Sequence, residues 1–280
     1  QTTELIAQCG EVTFEEEMLQ NKITLQTNNE SEAGYLFCNA PYLADPNSGD
    51  YSPASEGYCI LDGDNTTFLH TDWSDNAPDE DHYLRVSLGK IELSQFILKY
   101  STRGAGGDVY PGNPKRIVVE GCNSVDGDYE EIAVLTSEDE GNGLPQGSQL
   151  SHYTSNVLEN SENYKYIRFR VTENQRNSKV NGHCWFYISE FALMSVDYEC
   201  EYTVVVDVNA GSVTKELLLD VFRANDDAKT LADNSSVQAE LIAEKERLQV
   251  LYDELLEAYN NKLPVTLTTD ATAPVLYTIK

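Results

Sequence analysis

Between Tyr83 and Val196 the apolar residues come in short runs, several of period two, with no helical period between them. Tyr83–Leu88 puts Leu84, Val86 and Leu88 on one face and Arg85 and Ser87 on the other. Tyr164–Thr172 does the same with Ile167, Phe169 and Val171 against Arg168 and Arg170. Side chains alternate across a strand, so each pattern buries one face and wets the other. Ile91–Tyr100, Lys115–Glu120, Tyr129–Thr136 and the aromatic run Cys184–Val196 complete the series, with a turn over Cys122–Asp128. Strands at this spacing, without intervening helices, predict an antiparallel β-sandwich. The segments 71–82, 101–114 and 173–183 become its long loops, where binding usually resides.

The pattern changes near residue 200. Tyr202–Val208 reads as one more strand. Leu217, Leu218, Val221, Phe222 and Leu231 then give residues 212–232 a helical apolar pattern, broken at Asn234-Ser235-Ser236. Ser235 and Gln238 have capping-box spacing, which starts a second helix with Val237, Leu241, Leu248, Leu251 and Leu255 on one side. The two form an αα-hairpin ended by Leu263-Pro264. Residues 265–280 read as two short strands, the start of a further β module or a tail. The expected division is an N-terminal segment 1–22, a sandwich 23–198, a strand plus helical hairpin 199–262, and 263–280. The fold class expected is mainly β: a sandwich followed by a helical hairpin.

Charge excludes several partners. The 280 residues carry 19 Lys plus Arg against 47 Asp plus Glu, a formal net charge of −28. Phosphates would be repelled, which argues against nucleic acid and against docking on an anionic membrane. The longest apolar run is far below the ~20 residues of a transmembrane helix. The first residues, Gln-Thr-Thr-Glu, suit a mature N-terminus after signal removal. With 17 Tyr and only 2 Met, on an acidic background, the chain reads as a secreted binding protein, placed outside the cell, in the periplasm or on the cell surface. Six cysteines show no CxxC and no ligand-like spacing with the four histidines, so a zinc site is not expected. They can be free buried thiols or form one or two disulfides, and spacing does not choose among the 15 pairings of six.

Residues 60–73 read ILDGDNTTFLHTDW, residues 82–88 HYLRVSL, and residues 187–191 YISEF. In that order they resemble the discoidin, or coagulation factor C-type, domain family. Within it the resemblance is to the family 32 carbohydrate-binding modules of secreted bacterial glycan-degrading proteins. Lys115–Asn123 matches a strand that ends Gly-Ser-Asn in that family, with Cys122 in place of Ser. The resemblance covers about residues 23–196. It implies a galactose-binding-like sandwich, a structural calcium and a sugar site.

The loop chemistry points the same way. Asp62 and Asp64 flank Gly63, and Thr67 follows. Carboxylates, a hydroxyl and carbonyls packed this closely suit a hard cation, which takes six to eight oxygens. On residues alone the alternative is that Asp62 only caps a turn. The resemblance supplies a full ligand set: the Cys59 carbonyl, Asp62, Asp64, Thr67, the Ser189 carbonyl and Glu190. Glu190 stands in an otherwise apolar and aromatic strand, where an unpaired carboxylate is costly.

A sugar site needs an aromatic plane and planar polar side chains. Candidates are His70 and Trp73 from the first loop, Arg103 and Tyr110 from the glycine-rich second, and Asn181, His183 and Trp185 from the third. The resemblance implies ligand-contacting roles for His70, Arg103, Asn181 and Trp185. The competing readings are Trp185 as a core residue opening a strand and His70 as a buried ring bonded to backbone. The acidic chain favours a neutral terminal sugar, and the resemblance implies a galactose-like one.

No catalytic role is expected. The acid runs Asp79-Glu80-Asp81 and Glu138-Asp139-Glu140 lie in polar loops, and no GxSxG, HExxH or Cys-His signature occurs. The primary expectation is a non-catalytic glycan-binding module joined to other modules of one larger polypeptide. The alternatives are a structural or adhesion spacer with a degenerate sugar site, and part of a glycoside hydrolase whose catalytic domain lies elsewhere.

Overall fold

The structure is a computed structural model and describes residues 1–27, 33–42, 58–104 and 112–261. It divides into two compact units: Met18–Tyr198, and Gln1–Glu17 together with Glu199–Lys280. Along the chain come α1 (Thr2–Cys9), β1 (Gly10–Lys22), β2 (Tyr35–Cys38), β3 (Leu69–His70), β4 (Tyr83–Ser87), β5 (Gln95–Ser101) and β6 (Pro114–Cys122). There follow β7 (Glu130–Thr136), β8 (His152–Thr154), β9 (Leu158–Glu159), β10 (Tyr166–Asn174), β11 (Lys179–Val180), β12 (His183–Cys184), β13 (Tyr187–Ile188) and β14 (Glu190–Val206). The last elements are α2 (Lys215–Asn234) and α3 (Gln238–Asn260).

The first unit is a β-sandwich. One sheet has the order β1-β14-β5-β8, with β9 also on β5; the other runs β2-β4-β10-β6-β7. Alternation on β10 works as its sequence demands. Ile167, Phe169 and Val171 are buried, and Ile167 faces Val86 of β4 while Phe169 faces Leu84. Phe169 meets Phe96 of β5 edge-on at 6.5 Å and Phe191 of β14 at 5.3 Å, so the two sheets share one core. On the outer side of that sheet Arg168 and Arg170 both reach Glu120 of β6, at 2.8 and 2.7 Å. Arg170 also holds Asp81 at 2.7 Å.

In the second unit α1, α2 and α3 pack around Leu5, Ile6, Cys9, Leu218, Val221 and Leu255. The N-terminal segment, expected as a separate stretch, therefore supplies a helix to this core. Gly10 is needed just after α1, because a Cβ there would lie 2.1 Å from the Val205 carbonyl oxygen. Two expectations change. The strands expected at 184–196 and 202–208 are replaced by β12, β13 and then a single β14 that starts at Glu190 and runs on to Val206. Its polar middle stays exposed, and neighbouring β1 supplies the pairing that burial does not. The Ser235–Gln238 capping box also does not form. The Ser235 hydroxyl accepts from the Val237 N–H at 3.1 Å and bonds Glu240 at 2.9 Å. Thr214 caps α2, accepting from Leu217 N–H. The reading of residues 263–280 lies outside the described residues.

None of the six cysteines is in a disulfide. No helix among the described residues is long and apolar enough to cross a membrane.

Candidate sugar cleft and cation loop

Two short antiparallel pairs shape one edge of the sandwich. In β3–β13, Tyr187 lies opposite His70 and Ile188 opposite Leu69. In β11–β12, Val180 lies opposite His183, and the two connecting residues are Asn181 (φ 50°) and Gly182 (φ 89°). Positive φ at both positions is the requirement of a type I′ hairpin, which Asn-Gly meets with least strain. This hairpin falls within the loop expected over 173–183, although Asn-Gly is a strong hairpin signal.

Between these pairs lies a cleft of about 530 Å3, lined by His70, Trp73, Asp75, Arg103, Arg176, Ser178, Lys179, Val180, Asn181, Trp185 and Tyr187. Five of the seven sequence candidates line it. Trp73 is 47% exposed, whereas His70 and Trp185 are 7% exposed. His70 and Trp185 stack with centroids 5.2 Å apart and planes 21° from parallel. Trp185 lies against the backbone at Gly112, where a Cβ would fall 2.2 Å from Cζ3 of the indole. Its carbonyl accepts from Asn174 Nδ2 at 2.7 Å. Trp185 is thus both a core residue and part of the floor, and the two readings of it merge.

His70 Nδ1 lies 2.6 Å from the Thr71 carbonyl oxygen. A carbonyl only accepts, so Nδ1 carries the proton, and in the neutral ring Nε2 is then an acceptor. The Arg103 guanidinium lies over Phe68 at 3.7 Å and Tyr187 at 5.2 Å. Asn181 Nδ2 donates to the Ala77 carbonyl at 2.8 Å, tying the hairpin to the loop that carries Trp73.

His183 does not line the cleft. Its Nδ1 is 2.8 Å from Asp81 and its Nε2 3.5 Å from Asp79, so the acidic segment before β4 holds it. Burial works to raise the Asp81 carboxyl, but hydrogen bonds from His183 and Arg170 outweigh it and leave it below its ordinary range. Tyr110 lies outside the described residues. Sequence reasoning missed Arg176, Lys179 and Asp75; Arg176 precedes the Asn-Gly hairpin and Lys179 opens its first strand. The second acid run is also in structural use, since Asp139 accepts from the Thr136 N–H and hydroxyl at 2.8 and 2.7 Å.

In the Asp62–Thr67 loop, the Thr67 hydroxyl lies 2.8 Å from Asp62 Oδ2, 2.9 Å from the Asp64 carbonyl and 3.0 Å from the Cys59 carbonyl. One hydroxyl proton cannot serve three acceptors. Glu190 adds a carboxylate to Asp62. Burial, then a hydrogen bond and charge repulsion from Asp62, push its carboxyl above the usual range, and Oε1 is buried without a partner. An orphaned carboxylate oxygen beside crowded acceptors is the donor set a hard cation fits. The Asp64 carboxylate departs from the expected ligand set. It accepts from the Thr66 hydroxyl and N–H, which hold it below its ordinary range, and only its carbonyl faces Thr67. Ser189 meets the loop through its hydroxyl, 3.2 Å from Asn65 Oδ1 and 2.8 Å from the Thr102 carbonyl. Among the described residues no three His, Cys, Asp or Glu side chains form a metal cluster. A cation here would therefore use Asp62, Glu190, the Thr67 hydroxyl and carbonyls together.

No family model matches the chain, and no curated protein matches it. Several solved structures do. One is a CBM32 domain from a family 31 glycoside hydrolase of Clostridium perfringens, at 17% identity over 57% of this chain and 90% of that one, TM-score 0.37. Another is the family 32 module of C. perfringens NanJ in complex with galactose, at 17% identity over 59% and 92%, TM-score 0.35. A third is the C-terminal domain of a chitobiase from Bacteroides fragilis, at 16% identity over 60% and 92%, TM-score 0.37. The chain is similar to family 32 carbohydrate-binding modules, the group that its ordered motifs resemble.

Proposed function

We propose that this chain is a non-catalytic carbohydrate-binding module of a larger secreted or surface protein, taking a terminal galactose-like sugar in the cleft. The observation that carries the reading is Trp73: a half-exposed indole at a cleft lined by His70, Arg103 and Asn181. An indole face takes the C–H face of a pyranose, and an acceptor (His70 Nε2), a donor fork (Arg103) and an amide (Asn181) suit its hydroxyls. A calcium ion held by Asp62, Glu190, Thr67 and the neighbouring carbonyls belongs to the same proposal, as a structural ion that fixes the loop leading to His70.

A shallow, wet site gives weak binding, about 0.1–1 mM, or roughly −4 to −5.5 kcal/mol. Tethering to other modules raises the effective concentration of such a site. The test is a glycan array on multivalently displayed protein, followed by titration of the hits into Arg103→Ala. Terminal-sugar hits that Arg103→Ala loses are expected. An empty array overturns the reading in favour of a structural spacer, and release of free sugar overturns it in favour of an enzyme.

A further inference from the structure

The cleft does not share the charge of the chain. Overall, acids outnumber bases 47 to 19, yet among the described residues the cleft wall carries Arg103, Arg176 and Lys179 and one carboxylate, Asp75. Arg168 and Arg170 are matched by Glu120, and Arg247 by Asp227 and Glu244, whereas Arg223 lies over the Tyr202 ring. Arg103 is of the second kind. Among the described residues it has no carboxylate partner and is held instead over two aromatic rings, Phe68 and Tyr187. Arg176 lies near the Trp185 ring, at 5.8 Å. Ring contacts hold the Arg103 guanidinium in place by its face, which leaves its edge N–H groups for a ligand. That edge is a planar fork matched to a carboxylate or sulfate. Low-dielectric walls of Trp185 and Tyr187 strengthen the local field against the acidic surroundings.

We propose that the sugar taken by this cleft carries an anionic group, a carboxylate or a sulfate, recognised by Arg103, Arg176 and Lys179. This deepens the glycan-binding reading and rests on it. It reverses the expectation of a neutral ligand, which came from the charge of the whole chain rather than of the cleft. The acidic surround then acts as a filter. It repels polyanions at a distance, and only a compact anionic sugar that seats between Trp73 and Trp185 reaches the cations.

The experiment compares matched probes on the multivalently displayed chain: galacturonic acid and 6-sulfated galactose against galactose, glucuronic acid against glucose, and sialyllactose against lactose. Each is measured at low salt and at about 0.5 M NaCl. At least one acidic probe is expected to bind about 5- to 20-fold more tightly than its neutral parent at low salt, with the ratio shrinking at high salt. Carboxylate and sulfate arms tell which anion is read. Lys179→Gln and Arg176→Gln, both at exposed positions, are expected to cut that ratio by half or more. Neutral parents binding as well as or better than every acid would overturn this inference and leave sugar binding standing. Failure of all probes, acid and neutral, would overturn both.

Discussion

The imidazole of His70 is stacked on the indole of Trp185, 5.2 Å between centroids, and the same imidazole lies 6.5 Å from the exposed ring of Trp73. One histidine thus stands between a tryptophan that belongs to the packing and one that belongs to the surface. Trp185→Ala should cost about 3–5 kcal/mol in chemical denaturation, as large buried truncations do. Trp73→Ala should cost under about 1 kcal/mol while removing sugar binding in titration calorimetry. Equal losses of stability from the two would mean that Trp73 is also structural.

Glu190 and Asp62 give a prediction with opposite signs in two buffers. In EDTA, Glu190→Gln removes a carboxylate pressed against another and should leave stability unchanged or raised. In excess calcium the same variant loses a ligand and should melt below the native chain. A ligand at 100 times its Kd adds about 2.7 kcal/mol to the state that binds it, so calcium should raise Tm by several degrees. The same sign for Glu190→Gln in both buffers would dismiss the ion.

His82 should make the sandwich acid-sensitive. It is fully buried with no hydrogen-bond partner on either ring nitrogen. Burial lowers its pKa from 6.5 to about 4, with Asp72, Asp81 and Glu80 opposing and His183 assisting the fall. The unfolded chain therefore binds this proton first. The contribution is complete above pH 6.5 and is lost as pH falls from 6.5 towards 4, about 3 kcal/mol in all. Urea melts between pH 7 and 4.5 should show the slope, and His82→Gln should flatten it. A slope that survives the substitution would place the titration elsewhere.

Residues 18–198, expressed alone, should fold as a β protein with little helical circular dichroism. A fragment 1–198 should be less soluble, since Leu5, Ile6 and Cys9 lose the core they share with Leu218 and Leu255. Similar solubility of the two would argue that α1 forms no such core.

The sandwich was readable because β10 states its own burial, Ile167, Phe169 and Val171 against Arg168 and Arg170. The meeting of His70, Trp73, Arg103, Asn181 and Trp185 followed from three loops that the strand order places together. What stayed hidden depends on distant partners. TTELIAQC, residues 2–9, is too short to show a period, and its Leu5 and Ile6 acquire meaning only from residues beyond 210. His183 looked like a cleft residue because Asn181 and Trp185 flank it, and only Asp79 and Asp81 draw it away. Arg176 and Lys179 were missed because net charge is a sum over the chain, and a sum does not record where its cations stand.

The hydrogen bond from Asn181 to the Ala77 carbonyl also has a kinetic consequence. It ties the hairpin to the loop that carries Trp73 without a ligand, so these two walls of the cleft are braced in advance. For a preformed site, association at roughly 10⁶–10⁷ M⁻¹s⁻¹ with a Kd near 0.1–1 mM gives departures at about 10²–10⁴ per second. On the proposed function, the chain would grip each sugar for about 10 milliseconds or less. A larger protein carrying it would then move from one glycan end to the next while further modules kept it on the same surface.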